Sequence, residues 1–231
     1  MTTYLQPTPW DERNFQMNTF ELTSSSEVAL RQTDNIRGHF TLKIDPTQNT
    51  ESLYKYGFYY TDTLMKPFCR KDQLVLAKDE AISLSDDYDI AQITHIAGNA
   101  FRHSRFHRDF NVPDWMVNKR FQNWVLDLAK VNNIITLYYE KQLAGFFAFD
   151  QNNVTLLAID TPYQGRGLAK PFTSHCVKHL FSLGDYEHVT TSVSASNFPS
   201  LNVFISIGFR IGGAIDVYHK CNVAPLSAGE W

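Results

Sequence analysis

The chain has 231 residues, 43% of them apolar and 14% aromatic, with a net charge of −3. That is enough apolar material for a substantial core in one large domain or two small ones. The mild acidity and the lack of a basic run argue against nucleic acid as a partner, no apolar run reaches the ~20 residues that span a bilayer, and the opening Met-Thr-Thr-Tyr-Leu-Gln-Pro lacks the build of a signal peptide. The three cysteines, Cys69, Cys176 and Cys221, lie far apart without a Cys-x-x-Cys. They read as reduced structural thiols in a cytoplasmic protein.

Residues 1–75 read as a small α/β unit. Trp10-Asp11 and Phe15 open it, and Thr19 to Thr23 and Arg37 to Ile44 are expected strands, the second alternating Phe40, Leu42 and Ile44. Glu51 to Tyr56 is a short helix expected to stop at Gly57, before a strand that starts at Phe58. The pattern Leu53-x-x-x-Gly57-Phe58 recurs as Phe204-x-x-x-Gly208-Phe209, which suggests that the first unit is a truncated relative of the second, although chance explains so short a match equally well.

Residues 76–231 read as the larger domain. A strand carrying Leu74 and Leu76 leads to a helix expected to start at Ser85-Asp86-Asp87, where carboxylates favour the N-terminus. A polar, cationic loop follows over 102–114, then a helix from Trp115 to Ala129 and a hairpin around Lys141-Gln142. Val154 to Ile159 is short and apolar, as a buried strand is. Beyond it, Leu168, Phe172, Cys176, Val177, Leu180 and Phe181 mark one face of a helix that tolerates Pro171 in its first turn and stops at Gly184. His188 to Ser194 is the next strand, Asn197 and Pro199 open a helix ending at Gly208, and Arg210 to Gly213 and Ile215 to His219 are final strands.

Between strand and helix stands Gln164-Gly165-Arg166-Gly167-Leu168-Ala169. Two glycines allow a tight turn and close approach of a ligand, and the helix N-terminus offers free N–H groups to a phosphate. An ordinary strand-to-helix turn would also use such glycines. Gln164 to Ala169 resembles the acetyl-CoA pyrophosphate loop of the GCN5-related N-acetyltransferases, and Asn197 to Phe209 resembles that family's second signature. The resemblance implies a mixed central sheet splayed at its central strand and acetyl-CoA as co-substrate. It implies that Leu157 offers its backbone N–H to the thioester oxygen, that Ile159 pairs with the pantetheine arm, and that Gln164, Gly165, Arg166, Gly167, Leu168, Ala169 and Asn197 hold the donor.

The family's usual acid, a Tyr four residues before the Gly-Phe pair, is Phe204 here, which reads as a core aromatic. Tyr218 is the substitute candidate; water or the incoming amine could equally protonate the thiolate, which needs little help near neutral pH. Phe101-x-x-Ser104-Arg105-Phe106, followed by Phe121-x-x-Trp124, is similar to the TDP-fucosamine acetyltransferase branch. That likeness implies a nucleotide-linked amino sugar as acceptor, with Ser104, Arg105, Phe106 and His107 on the substrate side and His107, near Asp109, as base. Guanidinium groups suit a diphosphate, and an imidazole suits proton transfer near neutral pH; a solvated loop with structural ion pairs is the other reading of the same residues. The expected partner is thus a small-molecule amine, with neither nucleic acid nor a membrane, in a monomer or a homodimer. Another small-molecule or protein amine, or an acyl-CoA-binding protein without turnover, are the alternatives.

Overall fold

The computed structural model describes residues 3–222. The elements in order are β1 (Leu5–Pro7), α1 (Pro9–Phe15), β2 (Thr19–Leu22), α2 (Glu27–Arg31), β3 (His39–Ile44), α3 (Glu51–Lys55), β4 (Tyr59–Arg70), β5 (Ile82–Ser85), α4 (Ile90–Ala100), α5 (Asp114–Ala129), β6 (Ile134–Tyr139), β7 (Gln142–Asp150), β8 (Asn153–Ile159), α6 (Ala169–Leu183), β9 (His188–Thr191), β10 (Val193–Ser194), α7 (Phe198–Ser206) and β11 (Arg210–Cys221).

The chain forms two units, divided differently from the expected 1–75 and 76–231. The first holds residues 1–64, 103–120 and 214–231; the second holds 65–102 and 121–213. Sheet pairing is the physical reason. In the first unit β2 lies parallel to β3, and β3 pairs antiparallel with the far half of β11, from Ile44↔Asp216 to His39↔Cys221. Leu22, Leu30, Phe40, Leu42, Leu53, Phe58 and Tyr218 form its apolar core. In the second unit the far half of β4 pairs antiparallel with β9, β9 lies parallel to β8, and β8, β7, β6 and β5 follow as an antiparallel run. Its main core joins Phe147, Phe172, Cys176, Val177, Leu180, Val189, Phe204 and Phe209. Burial of such side chains is the dominant stabilising term.

The short repeat seen in the sequence has matching geometry. Phe58 N–H donates to Leu53 O at 2.9 Å, and Phe209 N–H donates to Phe204 O at 3.1 Å. Gly57 and Gly208 both have positive φ, +78° and +100°, and each precedes a strand of 12 residues. The order strand, helix, strand, helix, long strand occurs in both halves: β2-α2-β3-α3-β4 and β8-α6-β9-α7-β11, the second with β10 added.

Several expected elements shift. No strand forms at Leu74 and Leu76, and the expected alternation does not hold: Leu74 packs against the core, but Val75 is 51% and Leu76 44% exposed. The helix expected from Ser85 begins at Ile90, capped by Asp89 Oδ1, which accepts from Ala91 N–H at 2.8 Å. Ser85 instead ends β5 and its carbonyl accepts from Thr136 Oγ1. The two final strands are one continuous β11. Gly184 ends α6 in an extended conformation, φ −166°. The short β1, α1 and α2 carried no periodicity long enough to read.

A Cβ on Gly208 would sit 2.0 Å from the carbonyl oxygen of Gln73. Gly208→Ala is therefore expected to destabilise by about 2–4 kcal/mol, through overpacking and a positive φ. Gly213, where a Cβ meets nothing within 4 Å, should change by less than about 0.5 kcal/mol as alanine. Urea unfolding of both variants tests the contrast; equal midpoints would overturn it.

Candidate functional site

The second unit holds the glycine loop. β8 and β9 pair only at Asn153↔Thr190 and Val154↔Thr191, and no pairing follows. Thr190 N–H donates to Asn152 O at 2.9 Å, and Thr191 Oγ1 donates to Val154 O. Even-numbered residues thus face β9 up to Val154. Further along, Asp160 N–H donates to Ala144 O, so an even-numbered residue faces β7 instead. The phase changes where Ala148↔Leu156 is followed by Phe149↔Val154, leaving Thr155 as the extra residue of a β-bulge. The bulge turns the backbone groups of Leu157 and Ile159 away from β7, into the gap that opens beside β9. Ile159 O there accepts from Gln164 Nε2 at 2.9 Å.

After β8, Asp160 starts a short turn with Oδ1 accepting from Thr161 N–H at 2.8 Å. Gly165 and Gly167 have φ of +76° and +79°, and a Cβ on either would meet nothing within 4 Å. Positive φ selects glycine here, and the open space leaves room for a ligand. Leu168 caps α6 without any side-chain acceptor. Among the described residues, no backbone carbonyl outside the helix accepts from the N–H groups of Gly165, Arg166, Gly167, Leu168 or Ala169. They form a cradle for an anion at a helix N-terminus. The Arg166 guanidinium lies over the Tyr163 ring at 5.5 Å, beside the cradle. The corresponding helix of the first unit, α2, is closed by its own side chain: Ser26 Oγ accepts from Ala29 N–H. Asn197 caps α7, its Oδ1 accepting from Ser200 N–H at 3.2 Å.

Other expected site residues fall elsewhere. Phe204 is 1% exposed and packs edge-on to Phe209 at 5.0 Å, as a core aromatic does. Tyr218 belongs to the core of the first unit, 4% exposed. Burial and a hydrogen bond with Tyr54 push its hydroxyl up to about 12, which makes it a reluctant acid. Phe106 is 1% exposed between Phe15, His39 and His219, which removes it from substrate contact. Both ring nitrogens of His107 are engaged, Nδ1 by Ser104 Oγ at 2.9 Å and Nε2 by Asn118 Oδ1 at 3.1 Å. The hydrogen-bond partners assign Nδ1 as acceptor and Nε2 as donor, so His107 fastens this loop and holds no lone pair ready for a substrate. Arg105 stacks on Phe106 at 4.5 Å, and its buried Nε has no hydrogen-bond partner.

The expected partnership of His107 with Asp109 is replaced by another. Asp109 Oδ2 accepts from His39 Nε2 at 2.8 Å and His219 Nδ1 at 2.7 Å, and Oδ1 accepts from Tyr59 O–H and Asn111 N–H. Burial alone would raise the Asp109 pKa, but the hydrogen bonds from His219 and His39 hold it far below the ordinary carboxylate range. Burial, with His39 beside it, pushes His219 down to about 3. Cys69 and Cys176 are buried thiols, both raised by burial. No helix among the described residues is long and apolar enough to cross a membrane.

An open mixed sheet whose bulged central strand parts from its parallel neighbour, with a glycine turn and an uncapped helix N-terminus next in the chain, defines the type of α/β fold. Residues 107–222 match the family model described as acetyltransferase (GNAT) domain, and the chain belongs to that GCN5-related N-acetyltransferase family. It is 28% identical over 94 residues to the spermine/spermidine N(1)-acetyltransferase of Bacillus subtilis strain 168 and to a probable spermine N(1)-acetyltransferase of Bacillus subtilis subsp. natto. Each match covers 36% of this chain and 62% of the relative. A GCN5-related N-acetyltransferase of Sphaerobacter thermophilus has the same fold, with TM-score 0.67 and 12% identity over 96% of this chain and 78% of that one. A tandem GNAT protein from the clavulanic acid biosynthesis pathway aligns with TM-score 0.56 and 9% identity, over 89% of this chain and 76% of that one.

The His219 shift has a sign that can be checked. A histidine with a folded pKa near 3 and an unfolded one near 6.5 binds fewer protons when folded. Its stabilising contribution is full above pH ~6.5 and is lost as pH falls toward 3, by about 1.4 kcal/mol per unit. Asp109, also depressed, adds a further loss below pH ~4. Urea unfolding at pH 7, 6 and 5 should show this decline. His219→Gln should flatten it over pH 5–6.5; an unchanged slope would overturn the assignment.

Proposed function

We propose that this chain transfers an acetyl group from acetyl-CoA to the amine of a small molecule. One observation carries the reading: an open glycine cradle lies directly beyond a strand whose bulge frees the backbone of Leu157 and Ile159. The residues present fit the donor. The N–H groups of Gly165 to Ala169, with Arg166, match its pyrophosphate, and Ile159 supports the pantetheine arm as an added strand would. Acetyl-CoA supplies the activated thioester. Leu157 N–H stabilises the negative charge developing on the thioester oxygen, a donor worth about 3–4 kcal/mol in such sites. The C–N bond forms as the C–S bond breaks, the amine gives up a proton, and the departing thiolate takes one. Asn152 and Asn153 stand where some members of the family carry a carboxylate, so the amine must arrive neutral. A thiolate needs little acid help near neutral pH. Neither Tyr218 nor His107 is needed for this route.

The finer reading, a nucleotide-linked amino sugar as acceptor, rests on the resemblance of residues 101–106 and on the unpartnered Nε of Arg105. The Bacillus relatives named for spermine favour a polyamine instead. A cytoplasmic setting, where acetyl-CoA is supplied, suits either acceptor.

Gly167→Asp tests the donor assignment, because it puts a carboxylate into the anion cradle. The expected loss of acetyl-CoA affinity by calorimetry is at least roughly 100-fold, about 2.8 kcal/mol. An unchanged melting temperature would show that the variant folds. Undiminished affinity would overturn the loop's role.

A further inference from the structure

The second unit carries a cleft of about 1000 Å³ at the point where β8 and β9 part. It lies on the sheet face opposite the core formed with α6 and α7. Cross-strand register builds it. On β4, Lys66, Phe68 and Arg70 share one face, while Cys69 points into the core. Their partners on β9 are fixed by Phe68↔Thr190 and Arg70↔His188, which set Lys66 opposite Ser192. Lys66 Nζ donates to Ser192 Oγ at 3.3 Å, and the Phe68 and His188 rings meet edge-on at 6.4 Å. Thr190 extends the ladder to β8 by donating its Oγ1 hydrogen to Asn153 Oδ1 at 3.1 Å. The floor is thus Lys66, Phe68 and Arg70 in line, the Cα atoms of Lys66 and Arg70 being about 13 Å apart, a span that two long side chains can close from either end. The ladder contains no carboxylate. Asp72 and Glu187 lie beyond the strand ends, where Lys71 also stands, and Tyr186 adds a second aromatic wall.

Asn153, Thr190 and Thr191 are both the last paired residues of β8 and β9 and part of the cleft wall. The cleft therefore ends at the fork of the gap into which Leu157 turns its N–H. We infer that this cleft receives the acceptor, and that the acceptor is a small-molecule amine bearing a phosphate group, held by Lys66 and Arg70 with its body on Phe68. The inference rests on the acetyl-transfer reading above and deepens it by naming the acceptor class. Lysine and arginine bind phosphate by charge-assisted hydrogen bonds. The same two cations oppose a polyamine, so acceptor choice here differs from that named for the Bacillus relatives. A phosphate ester and a diphosphate share this chemistry; a simple hexosamine phosphate and a nucleotide-linked hexosamine separate these sources.

The test is thiol release from acetyl-CoA by the full chain with glucosamine 6-phosphate, a nucleoside diphosphate hexosamine carrying a free amine, unphosphorylated glucosamine and spermidine. At least one phosphorylated amine is expected to give a kcat/KM about tenfold or more above glucosamine and spermidine. Lys66→Glu and Arg70→Glu should each raise its KM about tenfold, leave the acetyl-CoA KM within twofold, and lose less as Lys66→Arg or Arg70→Lys. Preference for spermidine, or charge-reversed variants with unchanged acceptor KM, would overturn the acceptor assignment alone while acetyl-CoA binding by calorimetry persists. Absence of acetyl-CoA binding by the parent chain would overturn the underlying reading, and this one with it.

Discussion

Between Val154 and Ile159, β8 runs with one edge unpaired beside its own parallel neighbour. Backbone N–H and C=O groups left without partners are costly unless water or a ligand meets them. Most sheets avoid this by keeping their ladders closed. Here the bulge at Thr155 shifts the strand's phase, so that the groups of Leu157 and Ile159 turn into the gap while the even-numbered groups remain bonded to β7. Everything that gives this unit a chemical use follows from that opening. The cradle of Gly165 and Gly167 lies just beyond its far end, and the cation-lined cleft meets its fork. One structural irregularity thus borders both the glycine turn and the cation-lined cleft.

The parts of this arrangement legible in the sequence were those set by local rules. The apolar stripe of α6, the positive-φ glycines of the loop and the Asn197 cap all depend on residues a few positions apart. What could not be read depended on partners distant in sequence. Asp109 looked like a partner for His107, two residues before it, yet it bonds to His39 and His219, 70 and 110 residues away. Tyr218 was a candidate acid by its residue type alone, but it is packed in the core of the first unit against Tyr54 and Tyr60, more than 150 residues earlier in the chain. Lys66 and Arg70 stood out by no motif in the sequence. Their meaning appeared only with the β4–β9 register, which no local pattern encodes. The bulge at Thr155 is likewise invisible, since Thr in a strand is unremarkable.

The first unit spends its polar residues differently. Arg120 pairs with Asp11 at 2.8 Å and lies over the Trp10 ring, and Asp109 gathers two imidazoles, a phenol and a backbone N–H. Buried groups so fully bonded fix one arrangement of the segments carrying them, residues 103–120 among them. Their service is to hold shape. The contrast between Ser26, which caps α2 with its own side chain, and Leu168, which leaves α6 open, shows the same division in miniature. One helix end is left bare and the other is closed by the chain itself.

The pairing of β3 with β11 bears on how the first unit folds. The sheet of the first unit is incomplete until Asp216 to Cys221 take their place beside β3, and Ile44 and Asp216, the nearest of these partners in sequence, are 172 residues apart. Until then β3 presents a bare hydrogen-bonding edge, the kind that pairs with any suitable strand nearby. Closing that ladder therefore needs a contact of long sequence separation, which forms slowly. A second unfolded chain at hand in that interval could lend its β11 to the wrong molecule, so the connectivity that completes this unit also opens a route to entangled dimers.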